Sequence, residues 1–277
     1  MKTVEHNPVN ILRATYFENK AVNQSLLKQV LKSPLHAWHY MNTPNEPTPA
    51  MALGTAIHTK LLEYDLFEEK IAVLPEINRR TKEGKEQYNR FVASAKGKTI
   101  ITQEQNKRCD AAFAMVCKND KFCNILDDVN YEHELALGWE DKKHKMNCKA
   151  CLDLINFETK EIIDLKTTSD ASYSGFSRSS ANFMYHLQAA FYLRAATGLS
   201  GVEAMKDGWT YKIMAVESVQ PHGCAMFEFD KNAIAEGDRL VERAMTAWAN
   251  ALVWSEFDGY TQETQKLSLP VWAISEE

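Results

Sequence analysis

EIIDLKTT, residues 161–168, sets an aspartate and a lysine two positions apart inside a run of branched apolar residues. Such a run reads as a β-strand, because β-branched side chains fit a pleated surface better than a helix. Side chains alternate across a strand, so Ile162, Asp164 and Lys166 share one face and Ile163, Leu165 and Thr167 the other. Two charges side by side on one face need water or a shared partner. The segment before it, KACLDLINF (149–157), reads as a second strand with Cys151, Asp153 and Ile155 on one face. FETKE joins the two. A hairpin folding about the 158–159 bond sets Asp153 opposite Asp164. A turn one residue different moves them to different faces, and the spacing leaves both registers open.

In the first register two carboxylates face each other and repel. A divalent cation between them removes the repulsion, and oxygen donors suit Mg²⁺ or Mn²⁺. Lys166, one pleat further along, is then placed to orient or deprotonate a water, or to offset developing negative charge. Metal, carboxylates and lysine together are the equipment for phosphodiester hydrolysis. The D/E-x-K spacing alone carries no information, since it recurs at Glu18, Glu68, Glu83, Asp141 and Glu158. Only at Asp164 does it lie in an apolar strand that follows another strand carrying Asp. The plain alternative is a solvent-facing charge pair.

The surrounding chain is that of an ordinary globular protein, with 277 residues, 45% hydrophobic and 25% charged. Its apolar runs fall well short of the ~20 residues that span a bilayer. MKTVEHNPVN has no apolar segment of a signal peptide, and six scattered cysteines fit a reduced, cytoplasmic protein without membrane association. A net charge of −5 means that any nucleic-acid contact depends on local positive potential. Helices are expected over 23–42, interrupted at Pro34, over 51–70, and from Thr102 to Cys117, where Thr102 and Gln105 form a capping-box pattern. Residues 43–50, with three prolines, read as loop, and 75–91 as a basic loop leading into a helix. Strands are expected near 131–139, 146–156 and 161–168, then a helix over about 182–197 ending at Gly198. A strand pair within 209–230, a helix over about 231–253 and an irregular tail complete the chain. Strands enclosed by helical blocks indicate an α/β (α+β) fold with a mixed central sheet. A single domain is expected over 1–277: a helical part to about 125, the catalytic sheet and helices over 126–255, and a tail over 256–277.

Two further stretches add to Asp153 and Asp164. GTAIHTKLLE places His58 in a helix beside the Ile57/Leu61 stripe, and HLQAAFYLRAA puts Gln188 and Tyr192 on one side of a helix. The order Gly-x-x-x-His, Asp, Asp-x-Lys, Gln-x-x-x-Tyr resembles the RecB-type nucleases of the PD-(D/E)XK superfamily, most of all the nuclease domain of exonuclease VIII (RecE), of phage or prophage type. LGTAIHTKLLE, PEINRRTKEGKE, GKTIITQEQ, CLDLI, IIDLKTT, YHLQAAFY and KLSLPVWA carry that resemblance from about Ser25 to Ala273.

The resemblance implies a restriction-endonuclease-like core. It implies metal-binding roles for His58, Asp153, Asp164 and the Leu165 carbonyl, and makes Lys166 the catalytic lysine. Gln188 and Tyr192 match the helix motif that buttresses the site and contacts DNA. Glu134 matches an acidic position on an earlier strand that holds a second metal or its water; the alternative is a surface strand residue. The implied activity is Mg²⁺-dependent (or Mn²⁺-dependent) 5′→3′ exodeoxyribonuclease action on linear duplex DNA, leaving 3′ single-stranded overhangs for recombination. The implied partners are DNA ends, a single-strand annealing protein of the RecT type, and further copies of the chain in a ring. Relatives of this type often carry extra sequence ahead of the domain, and this chain is expected to be a free-standing version. Alternatives are an endonuclease or nickase of the same family, or a catalytically silent DNA-end binding and assembly module.

Arg79, Arg80, Lys82 and Lys85 cluster in a polar segment and are candidates for phosphate contacts, as is Arg178 in the Ser/Gly-rich segment SYSGFSRSSANF, read as a loop. That segment offers Tyr173 or Phe176 as an aromatic wedge at a DNA end. The cysteine order does not match the four-cysteine iron–sulfur pattern of some RecB-type nucleases. Cys148 and Cys151 are expected on opposite faces of one strand, so neither a cluster nor structural zinc is expected. All six cysteines are read as core residues.

Overall fold

The computed structural model describes residues 8–11, 13–16, 19–44 and 47–269. The amino-terminal half is largely helical: β1 (Val9–Asn10), α1 (Arg13–Tyr16), α2 (Gln24–Val30), α3 (Pro34–Asn42) and α4 (Pro49–Leu62) come first. A 3₁₀ turn (Tyr64–Leu66), α5 (Phe67–Lys70), β2 (Ile71–Leu74), α6 (Lys82–Ser94), β3 (Thr99–Thr102), α7 (Gln103–Cys117) and α8 (Asp120–Leu126) follow. The central strands are β4 (Glu132–Asp141), β5 (Met146–Asn156) and β6 (Glu161–Thr168). Then come α9 (Tyr173–Asn182), α10 (Tyr185–Thr197), α11 (Gly201–Lys206), β7 (Thr210–Glu217), β8 (Cys224–Glu228) and α12 (Lys231–Trp254).

The principal sheet has six strands in the order β1-β4-β5-β6-β7-β8, and β6 and β7 are its parallel pair. A parallel pair needs a crossover, and α9, α10 and α11 supply it. This is the mixed, helix-flanked sheet expected from the alternation of strands and helical blocks. One apolar cluster packs Leu152, Ile155 and Ile162 against Phe191 of α10 and Val241 and Met245 of α12. A second packs Leu154, Ile163 and Leu165 against Leu53 and Ile57 of α4 and Cys109 and Val116 of α7. β5 and β6 are the central strands between these two layers, and their aspartates Asp153 and Asp164 are buried.

The β5–β6 hairpin has the register that opposes the aspartates. It pairs Asn156↔Glu161, Ile155↔Ile162 and Leu154↔Ile163, and the same register carried one position further sets Asp153 against Asp164. Local chemistry sets the four-residue turn. Asn156 Oδ1 accepts the backbone N–H groups of Glu158 (2.9 Å) and Thr159 (3.0 Å), and Lys160 takes a left-handed φ of 57°.

Several expectations need correction. Helix α4 begins at Pro49 inside the segment read as loop, because proline suits a first helical turn and the Thr48 hydroxyl caps Met51 N–H. The helix expected to run to residue 70 stops at Leu62, then gives way to the 3₁₀ turn and α5. The parallel pair β2–β3 was not foreseen, since runs of four residues show no period. Residues 173–182, read as loop, form α9: Ser172 caps Gly175 N–H, and Phe176 is buried against the Phe227 ring at 4.8 Å. The Thr102/Gln105 capping box and the left-handed Gly198 cap are both present. In the tail, Phe257 packs on Trp38 and Trp248, while Pro270–Ala273 of the KLSLPVWA stretch lie outside the described residues.

Candidate active site

Two registers combine to place three carboxylates in one row. In β4–β5, His133↔Leu154 and Leu135↔Leu152 flank the position where Glu134 faces Asp153. In β5–β6 the register, carried one position past its last pair Leu154↔Ile163, brings Asp153 alongside Asp164. Neither facing pair belongs to the regular ladder. Glu134 has a left-handed φ of 53°, a conformation that costs a non-glycine residue about 1–3 kcal/mol. Asp153 substitutes its carboxylate for a ladder partner, accepting the Leu165 backbone N–H at 2.7 Å. Leu152 and Ile155 consequently join the same core cluster, so the strict alternation expected for β5 slips at Asp153.

Helices on both sides of the sheet bring the remaining groups. His58, from α4, lies 3.1 Å from Glu134 Oε1 through Nδ1 and 3.1 Å from Asp153 Oδ2 through Nε2. Four residues earlier, a Cβ built on Gly54 would sit 3.0 Å from Thr167 Oγ1 of β6. The missing side chain lets α4 lie close to β6, which explains the Gly-x-x-x-His spacing. From α10, Gln188 Nε2 donates to Asp164 Oδ1 at 2.6 Å. Lys166 Nζ pairs with Asp164 Oδ2. Tyr192, one turn beyond Gln188, is buried, its ring edge-on to Tyr211 at 6.4 Å.

The electrostatics follow from this packing. Burial alone would push the His58 imidazole down, but Asp153 and Glu134 outweigh it and raise it to about 9. Burial works against ionisation of Asp153, yet His58, Lys166 and the Leu165 N–H hold it below the usual carboxylate range. Asp164 moves upward, because burial and Asp153 outweigh Lys166. Burial opposes the Lys166 charge, but the two aspartates raise its pKa.

Ligating atoms of His58, Glu134 and Asp153 all lie within 4.8 Å of one another. Carboxylates with one imidazole form a donor set that fits Mg²⁺ or, with more nitrogen character, Mn²⁺. The His58 ring lies between the Glu134 and Asp153 carboxylates, and as the neutral imidazole it would join them as a ligand.

The structure thus brings together His58, Glu134, Asp153, Asp164, Leu165, Lys166 and Gln188, with Tyr192 beneath them. Arg79, Arg80, Lys82, Lys85 and Arg178 are all exposed, and the Arg79 guanidinium lies 4.8 Å from the Tyr88 ring centroid. Phe176 is 2% exposed and is not available as a wedge, whereas Tyr173 is 81% exposed. Of the cysteines, only Cys109 and Cys148 are buried, which corrects the reading of all six as core. Cys151 instead donates its thiol to Glu134 Oε2 at 3.4 Å.

Two neighbours were missed. Tyr185 stands three residues before Gln188, on the same face of α10, so its spacing carried a signal. Its ring centroid lies 5.3 Å from Lys166 Nζ and 5.5 Å from Lys28 Nζ of α2. Lys28 sits between the buried Leu27 and Val30, and nothing in the sequence marks it. Burial first, and Lys166 second, lower its pKa to about 7 against the pull of Asp164.

Comparisons with known proteins bear on the fold and the family. The crystal structure of a "Putative exonuclease" from Eubacterium rectale superposes with a TM-score of 0.62 at 13% identity, covering 95% of this chain and 96% of that one. At that identity the likeness shows the fold. The crystal structure of SSO0001 matches at 13% identity over 80% of this chain and 85% of that one, and its TM-score of 0.28 carries no argument. No curated protein matches the chain. Residues 23–262 match the family described as a PDDEXK-like domain of unknown function (DUF3799), and with most of its length inside that match the chain belongs to this family.

Proposed function

We propose that this protein is a Mg²⁺-dependent exodeoxyribonuclease of the exonuclease VIII type, with the whole chain as one nuclease domain. In this reading it degrades one strand of linear duplex DNA from the 5′ end and leaves a 3′ single strand for an annealing protein. The observation that carries the proposal is the row Glu134–Asp153–Asp164, with Lys166 beside it and His58 above it. A surface charge pair would not bury Asp164 to 1% exposure, nor clamp it from a second helix through Gln188.

Asp153, Asp164, His58, Glu134 and the Leu165 carbonyl are the groups that would hold a divalent cation, which supplies Lewis-acid stabilisation of charge on the reacting phosphate. Lys166, kept charged by Asp164, hydrogen-bonds the attacking water and offsets negative charge on the phosphate oxygens. Gln188 fixes the Asp164 carboxylate in one orientation, and Tyr192 packs beneath it. Among the described residues no helix is long and apolar enough to cross a membrane. A ring of several copies answers the net charge of −5, because positive potential need only line the bore.

The test is digestion of linear duplex labelled separately at each terminus, with Mg²⁺, Mn²⁺ or EDTA. Early metal-dependent loss of 5′ label with 3′ label retained is expected. Asp164→Asn and Lys166→Met should each cut the rate by about 10³-fold or more without altering the circular dichroism spectrum. Full activity of Asp164→Asn would sink the proposed site, and binding of ends without cleavage by the wild type would make the protein an end-binding module.

A further inference from the structure

Lys28 is a half-buried lysine that forms no ion pair among the described residues, yet it shares a ring with Lys166. Two ammonium groups drawn to one tyrosine repel each other, and each stays only if something else gains from it. Lys166 has Asp164. Lys28 pairs with no carboxylate among the described residues, and burial first, with Lys166 second, lowers its pKa. A phosphate supplies two or more oxygens and would serve it.

The same ring continues outward. Tyr185 stacks with Phe183 at 5.7 Å between centroids, with the planes 24° apart, and Phe183 is 60% exposed. Inward, Tyr185 stacks at 6.0 Å on Phe176, which in turn stacks on Phe227. This aromatic column is rooted in the core and open at its outer end. Between Phe183 and Tyr185 the chain turns through Met184, with a left-handed φ of 50°. A non-glycine residue in that conformation costs about 1–3 kcal/mol, and here it swings one ring over Lys166 and leaves the next facing solvent.

We propose that Lys28 and the Tyr185–Phe183 column seat the nucleotide next to the scissile phosphate. The Lys28 ammonium pairs with that nucleotide's phosphate, and its unstacked base lies on Phe183. This rests on the nuclease reading above and adds a positioning site to it. An exposed ring that continues a rigid stack is a sequence-tolerant base platform. A cation one ring away from the catalytic lysine meets the neighbouring phosphate and leaves the reacting one to Lys166. Lys28 and Phe183 thus act on position, and their loss falls on KM more than on kcat.

The test uses the full chain, with wild type compared with Lys28→Met, Lys28→Arg, Phe183→Ala and Phe183→Trp. Steady-state digestion of linear duplex is measured in Mg²⁺, and binding of a fluorescein-labelled duplex with a short single-stranded tail is measured by anisotropy in Ca²⁺. Lys28→Met is expected to weaken binding and raise KM about tenfold, and to reduce the salt slope of binding by about one. Lys28→Arg should restore both. Phe183→Ala should weaken binding about tenfold with an unchanged salt slope, and Phe183→Trp should restore it. Wild-type KM, affinity and salt slope in Lys28→Met and Phe183→Ala would overturn the seat while leaving the nuclease standing. If the wild type binds but does not cleave, the nuclease reading fails, and the salt-slope change still supports the seat. Neither binding nor cleavage by the wild type would overturn both.

Discussion

Two titrations of opposite sign meet at this site, and together they predict a cancellation that single substitutions should expose. In the metal-free protein the His58 pKa stands at about 9, against an ordinary 6.5, so the folded state holds a proton that the unfolded chain releases. Its contribution to stability is fully present below pH 6.5 and is lost as pH rises through 9. Lys28 behaves conversely. Its pKa stands at about 7, against an ordinary 10.5, so above pH 7 the folded state sheds a proton that the unfolded chain keeps, and stability rises with pH. Each group working alone changes the unfolding free energy by about 1.4 kcal/mol per pH unit. Between pH 7 and pH 9 the wild type should therefore show almost no net change from this pair.

Lys28→Met removes the rising contribution and should lose about 2–3 kcal/mol relative to wild type over that interval. His58→Gln removes the falling one and should gain about as much. Urea unfolding in EDTA at pH 7 and pH 9, followed by far-ultraviolet circular dichroism, gives each protein's two free energies by linear extrapolation. Residues that titrate elsewhere are common to all variants and drop out of the differences. The double variant should return to the wild-type response. If Lys28→Met and wild type respond to pH in parallel, Lys28 is not a strained cation and the electrostatic picture of the site is wrong.

Other perturbations bear on the same geometry. Mg²⁺ or Mn²⁺ at about a hundred times its dissociation constant should stabilise the EDTA-treated protein by about 2.7 kcal/mol, or about 5–10 °C in Tm, and Asp153→Asn should abolish the gain in a thermal melt. Gln188→Ala leaves a buried Asp164 oxygen without its 2.6 Å donor and should cost about 1–3 kcal/mol in urea, with kcat falling; Gln188→Glu should cost more in both. Gly54→Ala presses a methyl group against Thr167 Oγ1 and should cost about 1 kcal/mol, which Thr167→Ala recovers in a double-mutant cycle. Gly54→Leu should move α4 off β6 and take the metal affinity with it, measured by calorimetric titration.

Much of this site was legible before any coordinates, for reasons that are local. The β-branched run at 161–168 and its apolar predecessor could only be strands, and their charged members stood out against that company. The helix bearing Gln188 and the capping box at Thr102 follow from spacing of the same short range. The hairpin register was one of two open alternatives, and Asn156 with the left-handed Lys160 selected it.

What the tertiary structure decided lies at longer range. Glu134 joins the acidic row only through the β4–β5 register, on a left-handed backbone that no strand pattern implies. The slip of the β5 pleat at Asp153 depends on a carboxylate capturing the N–H of a neighbouring strand. The serine-rich segment 173–182 is polar enough to read as loop, and it becomes helical because Phe176 finds Phe227 more than fifty residues away. Lys28 reaches the site because α2 packs beside the start of α10, more than 150 residues further on. Sequence spacing records which residues share a strand or a helix face. Which elements meet, and so which charges must live together, is settled by burying two apolar clusters on opposite sides of one sheet.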